Sequence, residues 1–434
     1  MIATTTSTRR WIVPFARWLT LRRLRAQAIV LAFCLWGVCA IDFSTPGLFD
    51  RAGNVKFQDF LPFYISARLV AQRRSAELYD HTVTQREMLA IVRDPTRVRL
   101  TYLYGPQVAL FFLPLASLSF PAAARIWAAI SVLIYAACIY AIWRRCPNLR
   151  ARPGLIAMAA LAFPPCFHFF VRGQFSPVIL ACFTLAYLAM RAHRPWLAGI
   201  AFGCLMLKPP FLLAIPLIFL FARAWKIFAA LILSAAAQLG LTTLYFGAAI
   251  MHSYFDLFLH PARWLAEAEL NLAPIQMHSL RAFWTLLVPL PALSLALYVL
   301  CSIAAIAATI AIWKTALPLP LRFSALLFSA VLVDPHLFIY DLVVLAPALL
   351  LLADWTLMHD HPALTVLTYL AYILPLFGPI SRWTHLQLSV IAFAALLWTL
   401  YATSQSTLTR SNPQASSSRS PRAFTSGARD LPAT

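Results

Sequence analysis

Apolar runs of about the length that crosses a bilayer recur along this chain, and they limit its fold more than any other feature. Residues 26–41, 122–143 and 291–313 are three of them, close to the ~20 apolar residues needed to traverse ~30 Å of hydrocarbon. The runs are continuous rather than alternating, which predicts helices and argues against a β-barrel. A composition of 61% hydrophobic and 12% charged residues could not be solvated as a soluble domain. The expected fold class is therefore all-α, a polytopic transmembrane helix bundle with about ten to thirteen crossings, several of them short or broken by proline.

The net charge of +20 is the composition of a nucleic-acid binder, but its placement points to a lipid bilayer. Arg9, Arg10, Arg17, Arg22, Arg23 and Arg25 precede the first run, and Arg410, Arg419, Arg422 and Arg429 follow the last. Basic residues at the ends of spans mark the cytoplasmic side, and attraction to anionic head groups accounts for the surplus without a nucleic-acid partner. Residues 1–25 are expected as a basic cytoplasmic segment, 26–403 as the membrane domain and 404–434, rich in Ser, Pro, Arg and Thr, as a disordered cytoplasmic tail. Arg144, Arg145, Arg150, Arg152, Arg191, Arg194, Arg223, Lys226, Lys314 and Arg322 can all be cytoplasmic together. That requires 106–120 to dip into the membrane without crossing and 196–221 to form two short halves hinged at Lys208. The first apolar run has no small-residue cleavage site behind it and reads as a retained span.

The same topology gathers polar chemistry on the opposite face: residues 44–105, the turn at 172–174, residues 249–276 and the turn at 334–336. Twelve of the fifteen acidic residues then lie on or near it, Glu267, Glu269 and Asp334 among them. The first outer loop is expected to bear surface helices, since its apolar residues suit a helix lying along the membrane. Asp59 would sit just above the bilayer among aromatic residues, as a general base within reach of an acceptor hydroxyl or as a solvated loop carboxylate or helix cap. Arg172 and Gln174 flank Gly173, where both side chains could donate to phosphate or sugar oxygens or simply form an interfacial turn. Lys208, one of four lysines, stands in an apolar stretch before two prolines. A cation there costs about 2.5–3.5 kcal/mol on insertion scales, so it needs a cavity or a partner unless it reaches the interface. His336, Tyr340 and Asp341 cluster by spacing at the mouth of a span, and His278 enters from the second outer loop. The eight cysteines and the histidines show no metal-ligand spacing, so neither metal nor cofactor is expected.

The order of these features resembles glycosyltransferase family 87, the DUF2029 group of GT-C-type, polyprenol-phosphate-mannose-dependent α-mannosyltransferases. The resemblance rests on Asp59, Phe63-Tyr64 and Ala67, Leu78-Tyr79-Asp80, Tyr104-Gly105-Pro106, Gly173-Gln174, Ala198-Gly199 leading to Lys208-Pro209, and Pro335-His336 with Tyr340-Asp341. It extends over about residues 57–345, with a lone Pro106 where paired prolines are frequent and Asp334 where a serine is common. It implies a GT-C bundle in the cytoplasmic membrane that moves a hexose from a polyprenyl-phosphate sugar donor to a lipid or glycan acceptor outside, and arginine placement puts both termini inside. On that reading Asp59 is the base, and Tyr64, Arg172, Gln174, Lys208, His278, His336, Tyr340 and Asp341 contact or orient the substrates. A secondary transporter of a polar or anionic solute is the rival, since it too would combine broken helices with buried charge. A non-catalytic membrane scaffold is a third reading.

Overall fold

A computed structural model describes residues 6–97, 102–260 and 274–411; Glu267, Glu269, Arg419, Arg422 and Arg429 lie outside the described residues. Among those described, secondary structure is helical apart from two isolated β-bridges. Seven helices are long and apolar enough to cross a membrane, or eight if the pair Pro153–Leu161 and Pro164–Arg172, bent by 53°, is one span. The ten to thirteen crossings expected are reached only if shorter apolar helices also traverse, such as Ser176–Arg191 and Leu319–Val333.

Proline placement explains much of the segmentation. Prolines occupy the first turn of Phe120–Trp143, Pro153–Leu161, Pro164–Arg172, Pro195–Gly203, Pro291–Trp313 and Pro362–Ile373, where a missing N–H costs nothing. Between 195 and 221 the chain runs as the helix Pro195–Gly203, a tight turn Cys204–Leu207, a second tight turn Pro209–Leu212 and the helix Ile215–Phe221. The break falls at Lys208, as the two prolines after it require.

Burial sorts these helices into layers. Only 17% of the apolar window of Leu21–Phe43 and 22% of those of Trp225–Phe246 and Pro291–Trp313 are buried inside the molecule, against 72% for Ile339–Thr356. The first three therefore form a lipid-facing rim, with Phe33, Leu244 and Leu300 exposed, and Ile339–Thr356 is central. Leu319–Val333 is buried along nearly its whole length, as an apolar helix without a polar face must be. Pro195–Gly203 packs against Trp225–Phe246 through Gly199 and Gly203, where an added Cβ would meet Ala230 and Ser234. Two glycines four apart let two backbones approach in a membrane. Gln238 then donates to the Gly203 carbonyl across the seam at 2.9 Å.

The polar loop over 44–105 is folded rather than open along its described residues. Asp80 caps the helix His81–Val92 by accepting from the N–H groups of Thr82 and Val83. Arg74 pairs with Glu77 at 2.7 Å and Glu87 at 2.8 Å, and Arg97 with Asp94 at 2.8 Å. The loop's basic residues thus answer its own acids, and the Arg74 guanidinium holds the Glu77 carboxyl below the usual range. One expectation is corrected. The helix Leu61–Ala71 does not lie along a membrane surface: every residue from Leu61 to Ala67 is buried, with Leu69 and Val70. At the other end the helix Leu388–Ser411 continues past the expected start of the tail at 404.

Candidate active site

Asp59 is set by an unusual turn. Phe57 adopts a left-handed conformation, φ 55° and ψ 39°, and the chain then makes one tight turn over Gln58–Phe60 before Leu61–Ala71 begins. A bulky residue in that region is strained and persists only where its surroundings fix it. Here the Phe57 ring meets Phe43 at 5.2 Å and Phe170 at 5.9 Å edge-on. Behind the turn lies a layer of fully buried rings, Phe60, Phe63, Phe112, Trp127 and Phe175, with Phe112 and Trp127 in edge contact at 4.8 Å.

The 172–174 turn closes over this platform. Pro164–Arg172 ends in left-handed Gly173, φ 72°, whose N–H bonds back to Phe170 and whose carbonyl accepts from the Trp127 indole at 3.0 Å. Any Cβ at Gly173 would press on Phe57 and Phe60, so the turn can approach Asp59 only as glycine. As a result the Gln174 amide donates to Asp59 Oδ2 at 2.7 Å, and the Arg172 guanidinium stands 3.6 Å from the same oxygen. The Arg172 side chain keeps 32% of its surface exposed while that of Asp59 keeps 9%, which leaves the cation open toward an incoming group. Tyr104 donates to the Gln174 carbonyl oxygen at 3.4 Å, and burial pushes its phenol up to about 12.

A second carboxylate organises the neighbouring side. Lys208, expected to meet phosphate or sugar, instead places its ammonium 2.5 Å from Asp341, both deeply buried. The rings of Tyr340, Tyr104 and Phe211 surround that ammonium with centroids at 5.6, 5.9 and 6.0 Å. Asp341 also accepts from the Ser176 hydroxyl at 2.7 Å and from the Phe338 N–H at 3.2 Å. Its carboxylate is thus shared among Lys208, Ser176 and the Phe338 N–H. Spacing alone groups His336, Tyr340 and Asp341 at the mouth of a span. The tight helical turns begin only at Ile339, so His336 sits in the preceding turn, its N–H donating to Asp334 at 2.8 Å. In that connecting turn burial pushes Asp334 up to about 7 and His336 down to about 4. The His336 ring is then neutral at pH 7, able to exchange one hydrogen bond but not to offer a charge. Tyr340 stacks on Phe338 at 5.4 Å.

Two of the expected residues are engaged elsewhere. The Tyr64 hydroxyl donates to the Leu118 carbonyl at 2.5 Å and its ring packs on Phe120 at 5.6 Å, so it builds the platform beneath Asp59. His278 turns its imidazole to Ser389 at 2.7 Å and joins the site through its backbone N–H, which holds the Leu337 carbonyl at 2.8 Å. Ser176 and Asp334 were not among the expected site residues, and Tyr104 was noted only as part of a motif. Ser176 carried no sequence signal beyond standing two residues after Gln174. Among the described residues no three His, Cys, Asp or Glu side chains converge as a metal site would need.

Arg172, Gln174 and Ser176 on one short stretch and Lys208 on another thus converge with Asp59 and Asp341 into one polar, ring-lined centre inside a membrane bundle. The model of glycosyltransferase family 87 matches residues 102–335. That stretch holds Arg172, Gln174, Lys208 and His278 and stops short of Asp59, Tyr64, His336, Tyr340 and Asp341. No curated protein and no solved structure matches the chain. The family match covers more than half of the sequence, and the chain belongs to glycosyltransferase family 87, as a multi-pass membrane glycosyltransferase acting on a sugar donor and an acceptor.

Proposed function

We propose that this enzyme moves a hexose, mannose first among the candidates, from a polyprenyl-phosphate donor to a lipid or glycan hydroxyl on the outer side of the cytoplasmic membrane. Asp59 acts as its general base. The observation that carries this reading is the Asp59 carboxylate, nine-tenths buried on a bed of aromatic rings and fixed through one oxygen by Gln174. Its other oxygen is left to receive a proton. An acceptor O–H donating to that oxygen loses its proton as its oxygen bonds to the anomeric carbon. The bond from that carbon to the donor phosphate breaks with its electron pair, the configuration inverts, and polyprenyl phosphate leaves.

Negative charge then grows on the phosphate, and Arg172 is the half-exposed cation positioned to meet it. Tyr340 and His336 are assigned to sugar hydroxyls as neutral hydrogen-bonding groups. Because Lys208 is matched by Asp341, this reading gives the pair a strut's role, which fixes the broken helix against the turn that carries Tyr340. Family membership disfavours the transporter reading.

The test is transfer of label from polyprenyl-phosphate mannose in membranes that contain the protein. Positioned proton transfer is typically worth about 10² to 10⁴ in rate. Asp59→Asn should lose that much while still binding donor, and transfer near the wild-type rate by that variant would overturn the assignment. Release from other labelled polyprenyl-phosphate hexoses but not from the mannose donor would keep the base and change the sugar.

A further inference from the structure

A cavity of about 230 Å³ opens between the helices Leu21–Phe43, Pro153–Leu161, Ala346–Thr356 and Pro362–Ile373. It shares no lining residue with the Asp59 centre. Along the first helix its wall runs from Leu21 to Leu31 and along the facing one from Leu357 back to Ala346. At 1.5 Å per residue both walls are about 15 Å deep, half of a ~30 Å hydrocarbon core. The depth is that of one leaflet.

Polarity falls in steps down this wall. At the mouth stand exposed arginines. By helical spacing Arg23 and Arg25 flank the stripe of Leu24, Gln27, Ala28 and Leu31, and Arg152 lies one turn above Ile156 on the face that lines the cavity. Of the acids at this end, Asp354 is taken up by the N–H groups of Asn148 and Leu149, while Asp360 lies in the adjoining turn. One turn further in, Gln27 and Tyr369 exchange hydrogen bonds of 2.6 and 2.9 Å across the cleft. Below them the lining is almost wholly aliphatic and aromatic.

Cations, then an amide and a phenol, then hydrocarbon repeat the order of phosphate, glycerol ester and acyl chain. We propose that this cleft binds one acyl chain of an anionic glycerophospholipid from the adjacent leaflet, its phosphate on Arg23, Arg25 and Arg152 and its ester region at Gln27 and Tyr369. A polyprenyl phosphate joins phosphate directly to hydrocarbon and would leave the polar pair facing an isoprene chain. The inference stands independently of the sugar chemistry.

The experiment is native mass spectrometry of the purified full chain, exchanged with vesicles of equal parts phosphatidylglycerol and phosphatidylcholine. A basic residue near an anionic surface is worth about 1 kcal/mol, so the three arginines should give at least a tenfold preference for one retained phosphatidylglycerol. Arg23→Gln, Arg25→Gln and Arg152→Gln together should bring that preference close to parity, and Ala159→Phe should lower retention about tenfold by filling the cleft. Equal retention of the two lipids, or ready displacement of phosphatidylglycerol by equimolar polyprenyl phosphate, would overturn the proposal. Should Ala159→Phe not fold, phosphatidylglycerol with a photoreactive acyl chain decides on the unmodified protein. Label on Leu31, Ala159 or Leu349 supports the site, and label confined to the outer face of Trp225–Phe246 refutes it.

Discussion

On the proposed mechanism Asp59 must accept a proton while being held in place, and one amide and one cation share its Oδ2. On that mechanism Gln174 is a positioning residue. Gln174→Leu should cut kcat by about 10²-fold, the cost of a small misplacement of a reacting group, and leave the donor KM nearly unchanged. A KM effect without a kcat effect would argue for direct sugar binding instead. The Lys208–Asp341 pair has a different signature. Removing one member of a buried pair costs about 3–5 kcal/mol, whereas replacing both with apolar groups is often nearly neutral. Lys208→Met should thus destabilise the protein sharply in denaturant unfolding, and Lys208→Met with Asp341→Leu should recover most of the loss. Additive losses would show that the two are not coupled. The sequence marked Lys208 and Asp341 separately, each as a charge in apolar surroundings that needs an explanation. That each explains the other was illegible, because they are far apart in the chain and join only through packing. Tyr64 shows the converse: its motif was visible, but the direction of its hydroxyl toward Leu118 depends on where Phe120–Trp143 begins.

Between helices, the approach of two turns decides whether Asp59 is positioned at all. Gly173→Ala adds a Cβ at a left-handed residue, costing about 1–2 kcal/mol, and drives it into Phe57 and Phe60. The expected result is a loss of transfer comparable with that of Gln174→Leu, together with a lower unfolding temperature. A loss of stability alone would mean that the Asp59 turn moves without consequence. Gly203→Leu should instead separate Pro195–Gly203 from Trp225–Phe246 and break the hydrogen bond from Gln238, seen as a drop in thermal stability in detergent. The break at Lys208 was legible because Pro209 and Pro210 forbid a continuous helix. The burial of Leu61–Ala71 was not, since an apolar helix in a polar loop fits a membrane surface as well as a protein interior until its neighbours are known.

For the molecule as a whole, the orientation drawn from arginine placement remains a proposal with a direct readout. A cysteine replacing Ser75 in the first loop should react with a membrane-impermeant thiol reagent on intact cells, and one replacing Arg150 should react only after lysis. The opposite pattern would invert the topology and place the Asp59 centre on the cytoplasmic side. The division into a lipid-facing rim and a buried centre was only partly readable, since Leu319–Val333 and Pro291–Trp313 are both plainly apolar and differ in what surrounds them. The pairing of Lys208 with Asp341 also bears on how such a chain is made. Synthesis at about 5–20 residues per second brings Lys208 to the membrane several seconds before Asp341 exists, and an unpartnered ammonium resists the bilayer centre. The 195–221 segment is otherwise strongly apolar and can insert at that cost, but its lysine gains a partner only when the later carboxylate arrives. The polar centre around Lys208 and Asp341 is thus completed only after both segments have been made.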